Sequence, residues 1–137
     1  MQAHYQRSFD EIARIVADTA KFFARHEIDH SLRTPVDLCI EELFVNMVTY
    51  NTESDSEILL TMEPDGAGVR ISLTDYGVAR FDPTEVREVD VDAPLAERTP
   101  GGLGVYLVMK MVDSIHYEYH NKTSKITFTI KALNNNV

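Results

Sequence analysis

The chain holds a single cysteine, Cys39, in 137 residues. One thiol cannot close a bridge within the chain, so a disulfide framework is excluded and a reducing, cytoplasmic setting is expected. Cations are scarce: 13 lysines and arginines stand against 22 aspartates and glutamates, a net charge of -9. Neutralising nucleic-acid phosphates takes clustered cations, and an anionic membrane surface attracts the same kind of patch. Neither partner is expected. Long apolar runs are also missing. None approaches the length that spans a bilayer, and the first residues lack the apolar core of a signal peptide. No internal repeat or linker divides the sequence, which reads as one domain over residues 1–137 with room for one sizeable core. These absences leave a small anionic ligand open, because backbone N–H groups can hold phosphate without net positive charge.

What is present centres on Glu41-Glu42-Leu43-Phe44-Val45-Asn46. The stretch lies in a helix that is apolar on nearly every side, from Val36 to Tyr50, and such a helix is normally buried. Glu42 and Asn46 are four residues apart, so they share one face, one turn above the other. A buried carboxylate beside a buried amide is costly unless something binds them. The carboxylate can accept a proton, and the amide oxygen can ligate a hard cation such as Mg2+. The competing reading is a pair of core polar groups satisfied within the protein. Glu41 turns away from Asn46 and does not substitute for Glu42.

Two further pieces carry chemistry. Gly101-Gly102-Leu103-Gly104 opens a helix, whose first N–H groups lack internal partners and carry partial positive charge. Glycines let a phosphate approach that backbone closely, although a Gly-rich turn can serve helix packing alone. The stretch is no Walker A loop, since no Lys-Ser or Lys-Thr follows. Asp75-Tyr76-Gly77 closes a strand, where an acid can accept a hydrogen bond from an exocyclic amine, or merely end the strand in a turn. His26 and His30 have the spacing of helical metal ligands, but no third ligand is near them and a helix end falls between them. No Ser/His/Asp arrangement is evident.

Periodicity supplies the frame. Residues 2 to 7 suit an edge strand. Ser8 and Glu11 have capping-box spacing before a first helix that runs to about His26. Pro35 suits the first turn of the second helix. Ile58 to Met62 and Val69 to Leu73 read as a hairpin across Pro64–Gly68, and Ile115 to Tyr119 and Ile126 to Ile130 as another across Asn121–Thr123. Residues 78–100, with Pro83, Pro94 and Pro100, form a long charged loop of the kind that is usually functional. The tail from Ala132 should fray. Hairpins with helices segregated to one face predict an α+β fold: a two-layer α/β sandwich with a mixed, mostly antiparallel sheet.

The buried Glu-x-x-x-Asn helix, the strand-terminal Asp-x-Gly and Gly-Gly-Leu-Gly, in that order, resemble the GHKL ATPase superfamily. This is the Bergerat fold of gyrase, heat-shock chaperone 90, histidine kinases and MutL. The sequence looks most similar to the bacterial anti-sigma-factor serine/threonine kinases, on Glu41–Asn46, Asp75–Pro83 with its Phe81-Asp82-Pro83 ending, Gly101–Val108, and Val112-Asp113. The resemblance covers nearly the whole chain.

It implies ATP and Mg2+ as cofactors, with Asn46 as metal ligand and Glu42 as the general base that polarises a hydroxyl. It further implies Asp75 on the adenine amine with Gly77 beneath the ring, and a phosphate cradle of Gly101, Gly102, Leu103 and Gly104. Arg98 would neutralise phosphate charge and Thr127 on the last strand would support the adenine pocket. The activity implied is phosphorylation of a STAS-domain anti-sigma antagonist by a homodimer, with a sigma factor as second partner. The alternative is a non-catalytic partner-binding module. Tyr50 departs from the pattern, since many relatives carry histidine there. So does the acid-rich segment with Glu85, Glu88, Asp90, Asp92 and Glu97, which would either repel ATP or reshape a partner surface.

Overall fold

The computed structural model describes residues 1–85 and 102–132. Strand β1 (Gln2–Tyr5) leads into a 3-10 turn (Phe9–Glu11) and helix α1 (Ile12–Arg25). Ser8 starts that turn, its hydroxyl accepting from the Asp10 N–H, while Glu11 reaches back to the Gln6 N–H at 2.9 Å. The reciprocal capping box is therefore not made: Ser8 caps a 3-10 turn before the α-helix begins, its own N–H donates to the Gln6 carbonyl, and Glu11 serves Gln6 instead. A second 3-10 turn (His30–Leu32), capped by Asp29, feeds α2 (Arg33–Tyr50). Helix α3 spans Gly102–Met111.

Strands β2 (Ile58–Asp65), β3 (Gly68–Tyr76), β4 (Ser114–His120) and β5 (Thr123–Lys131) join β1 in one sheet of order β1-β2-β3-β5-β4. Every pairing among the described strands is antiparallel, so the sheet has none of the parallel pairing that a mixed sheet would carry. The last hairpin turns on Asn121 and Lys122, both left-handed at φ +51 and +57. That geometry matches the twist of the strands it joins. Gly68 admits no side chain, because a Cβ there would overlap the backbone of Ile130 and Lys131 on β5.

Side chains alternate across each strand. Ile58, Leu60 and Met62, Val69, Ile71 and Leu73, and Ile126, Phe128 and Ile130 face the helices and are buried. They meet Phe22 and Phe23 of α1 and Cys39, Ile40, Leu43 and Phe44 of α2 in one cluster. The other face is polar, with Ser72 and Thr127 hydroxyls 2.9 Å apart and those of Ser114 and Thr129 2.6 Å apart. Burial and the nearby Glu42 push the Cys39 thiol up to about 12, which makes it an inert core residue. Helix α2 is not buried all round: Val45 and Val48 are partly exposed, and Tyr50 is exposed. Among the described residues no helix is long and apolar enough to cross a membrane.

Candidate active site

Helix α2 crosses the sheet and brings its polar face to a cleft beside β5 and β4. Asn46, only 7% exposed, lines that cleft with Asn51, Phe81, Tyr117 and Ser124. One turn before Asn46, Glu42 lies against α3. A Cβ built on Gly104 would overlap the Glu42 carboxylate, so glycine is what lets that carboxylate lie against the helix there. Desolvation raises the Glu42 pKa above the ordinary glutamate range, and the charge of Glu41 raises it further. Among the described residues neither Glu42 nor Asn46 has a hydrogen-bond partner, so both side chains remain available to a ligand.

Asp75 ends β3 with no exposure at all. Its register partner on β5 is Ser124, which shares its face of the sheet and lines the cleft. Asn51, the last residue of α2's C-terminal turn, donates its side-chain N–H to Asp75 Oδ2 at 2.7 Å. Arg7, from the corner between β1 and α1, lies in ion-pair contact with Asp75 Oδ1. Arg7 Nε is buried without a hydrogen bond. Arg7 Nη1 donates to the Met47 carbonyl at 3.4 Å, near the negative end of the α2 dipole.

After Asp75 the chain turns through Gly77, at φ +70, a left-handed conformation that suits glycine. The Ser54 hydroxyl holds the Tyr76 carbonyl at 2.5 Å, and the Tyr119 hydroxyl holds that of Val78 at 2.7 Å. Tyr50 stacks on Phe81, whose N–H donates to the Tyr117 hydroxyl at 3.2 Å. Phe81 and Pro83 thereby sit at the cleft, and Asp82 caps the short turn that follows by accepting from the Thr84 N–H at 2.8 Å.

Of the residues singled out in the sequence, the fold gathers Glu42 with Gly104 at one end, Asn46 in the cleft, and Asp75 beside it. Gly102 opens α3, and Leu103 follows it in the first turn. Arg98, Gly101 and the acidic positions 88 to 97 lie outside the described residues. Thr127 requires a correction. Its register partner is Ser72, which puts it on the sheet face away from the helices. The hydroxyl on the cleft side is Ser124. Alternation along β5 already separates them, since Ser124 has the parity of Ile126, Phe128 and Ile130 and Thr127 does not; the pairing to Asp75 shows which hydroxyl stands beside the acid. Arg7 and Asn51 carried no local signal either, since their partner is far away in sequence. His26 ends α1 and His30 begins the next turn, so they do not share a helix.

The arrangement has a proton-accepting carboxylate next to a glycine-opened helix start, a buried amide in the cleft one turn further on, and a buried acid joined to that cleft through Asn51 and Ser124. No curated protein sequence matches the chain. Among solved structures, that of the RsbU and RsbW domains of Rv1364c from Mycobacterium tuberculosis is similar, with a TM-score of 0.68 at 16% identity. The match covers 96% of this chain but 32% of that one, so the chain spans about a third of its length. The histidine kinase AdeS of Acinetobacter baumannii is similar at a TM-score of 0.54 and 13% identity, over 98% of this chain and 68% of that one. These likenesses describe the fold. Residues 6–130 match the model of the histidine kinase-like ATPase domain, and the chain belongs to that family.

Proposed function

We propose that the protein is an ATP- and Mg2+-dependent serine/threonine kinase that phosphorylates a STAS-domain anti-sigma antagonist and exchanges partners in doing so. A sigma factor and a second copy of the chain are the other partners proposed. The observation that carries this reading is the contact of Glu42 with Gly104, one turn from Asn46. It sets a carboxylate of raised pKa beside a helix start and a buried amide that has no hydrogen-bond partner among the described residues. The residues fit the cofactor at that end in their chemistry, since a carboxylate and a buried amide that have no hydrogen-bond partner among the described residues stand by the opening turn of α3. ATP, when bound, supplies the phosphoryl group, and Mg2+ offsets its charge.

The chain's own residues do the rest. Asn46 offers an amide oxygen to a hard cation. Glu42, desolvated and so a stronger base than a free glutamate, takes the proton of the accepting hydroxyl. The opening N–H groups of α3 orient phosphate oxygens. Asp75 offers its carboxylate to the base amine, and Ser124 stands beside it. Arg98, Gly101 and Leu103 belong to the proposed phosphate cradle. Support for the partner class comes from Phe81-Asp82-Pro83 and from the likeness to a structure that contains an RsbW domain.

The test is calorimetric titration with Mg-ATP, followed by transfer of labelled phosphate to a co-encoded STAS protein. Glu42→Ala should abolish transfer and leave ATP binding intact. Transfer that survives in Glu42→Ala removes the proposed base. A second reading, a partner-binding module with little or no turnover, is favoured by one observation: both oxygens of Asp75 are already engaged, by Arg7 and Asn51. A failure to bind Mg-ATP would leave that reading in place of the kinase.

A further inference from the structure

We propose that Arg7 sets how tightly this pocket takes a purine base, because its guanidinium competes with the base's exocyclic amine for Asp75. The inference rests on the nucleotide reading above. Asp75 has no exposure, and Arg7 retains only 10% in its side chain, so water reaches neither group freely. Asn51 occupies Oδ2 and Arg7 covers Oδ1. Each oxygen already has a protein neighbour, and an amine must share one of them or displace Arg7.

Arg7 is incompletely satisfied where it lies. Its Nε is buried without a hydrogen bond, and its one hydrogen bond to the backbone is long at 3.4 Å. Buried polar atoms left unpaired are costly. An amine at Oδ1 would replace the guanidinium with a hydrogen-bond donor. The displaced guanidinium has another counterion near it: Asp55 is exposed, and its charge acts on Arg7 against the effect of burial, which lowers the Arg7 pKa. The exchange trades one incomplete buried pair for a hydrogen-bonded base and a solvated ion pair.

The rival account makes Arg7 a structural clamp, tying the β1–α1 corner to the end of α2 through Met47 and Asp75. The two accounts differ in sign. A clamp, when removed, loosens the pocket and weakens binding. A competitor, when removed, frees the acceptor and strengthens it. Simple electrostatics also predicts weaker binding of an anion once a cation is lost.

The experiment is calorimetric titration of the wild type, Arg7→Ala and Arg7→Lys with Mg-ATP and, separately, with Mg-tripolyphosphate, which has no base. Competition predicts that Arg7→Ala binds Mg-ATP about tenfold more tightly, the factor by which self-occupancy reduces the competent population. Arg7→Lys, with a compact charge that cannot cover the carboxylate as broadly, gains less. Tripolyphosphate affinity does not rise in either variant. Should Arg7→Ala fail to fold, Arg7→Lys decides alone. Equal or weaker ATP binding in the variants, with a binding-competent wild type, overturns the inference and leaves the nucleotide reading standing. An equal gain for tripolyphosphate also overturns it, because the effect would then not lie at the base. ATP binding by no form of the protein overturns both.

Discussion

Tyr50 and Phe81 stack with ring centroids 5.6 Å apart and 28° between their planes. Tyr50 closes α2, four residues beyond Asn46, while Phe81 belongs to the segment that leaves β3 after Gly77. The contact therefore ties the helix that bears the candidate base and metal ligand to the segment leading away from Asp75. Stacked aromatics contribute roughly 0.5–1.5 kcal/mol beyond their buried area, and both rings here are about two-fifths exposed, at 39% and 42%. Tyr50→Ala should cost about 0.5–1 kcal/mol in urea unfolding, at the low end of that range. It should also speed amide exchange across Val78–Thr84. Unchanged exchange there would mean that the hydroxyls of Tyr117 and Tyr119 hold the segment unaided.

Gly104 is the position where helix propensity and chemistry oppose each other. Alanine favours a helix over glycine by roughly 1 kcal/mol, so Gly104→Ala should not destabilise the fold. Its methyl group would take the place of the Glu42 carboxylate, and that carboxylate is the end of a flexible side chain able to move aside. The expected result is a thermal midpoint no lower than wild type, with phosphoryl transfer reduced at least about tenfold by misplacement of the base. A variant with full transfer would show that Glu42 need not sit against α3.

Much of this was legible in the sequence, and the limits have physical causes. Helical spacing was enough to put Glu42 and Asn46 on one face, because the 3.6-residue period is local. Strand alternation separated the core face from the open face in β3 and β5. It also sets Thr127 opposite Ile126 and Phe128, on the open face; what alternation leaves out is that Ser124 is the residue that pairs with Asp75 across the sheet. Arg7 and Asn51 were invisible as site residues for the same reason. Asn51 sits among turn-forming polar residues, and Arg7 sits in a short mixed segment, so nothing near either residue announces a partner at the end of β3.

The Ser124 and Thr127 assignments can be separated directly. Thr127→Val should leave nucleotide affinity unchanged and cost about 1 kcal/mol of stability, through loss of the hydrogen bond to Ser72. Ser124→Val puts an apolar group beside Asp75 and into the cleft, and should weaken Mg-ATP binding several-fold in calorimetry. The reverse pattern would return the pocket hydroxyl to residue 127.

Glu42 should also leave a signature in the pH dependence of stability. Its folded pKa lies above the ordinary value of 4.5, through burial first and Glu41 second. Below the unfolded value both states hold the proton, and Glu42 costs nothing. As the pH rises the unfolded chain releases its proton first, so the folded state becomes relatively less stable until the folded group also ionises. Glu42→Gln removes that penalty. It should raise the thermal midpoint at about pH 8 and leave it unchanged at about pH 4. A rise of equal size at both values would point to packing instead of charge.

The pairing of Arg7 with Asp75 predicts how the fold responds when either partner is lost. Breaking a buried ion pair costs about 3–5 kcal/mol, because the remaining charge has no counterion. Asp75→Ala strips Arg7 of its buried partner, but Asp55 is close enough to act on the guanidinium and exposed enough to receive it. The cost should therefore fall below that range, at about 2 kcal/mol. Adding Asp55→Asn to Asp75→Ala removes the refuge and should carry the loss into the full range, although Asp55→Asn alone lies at the surface and should cost little. Replacing both members of the pair, as in Arg7→Met with Asp75→Leu, should recover part of the loss, since no charge is then left buried. Urea unfolding of the four variants measures each quantity. Strict additivity between Asp75→Ala and Asp55→Asn would mean that Arg7 does not move between the two acids.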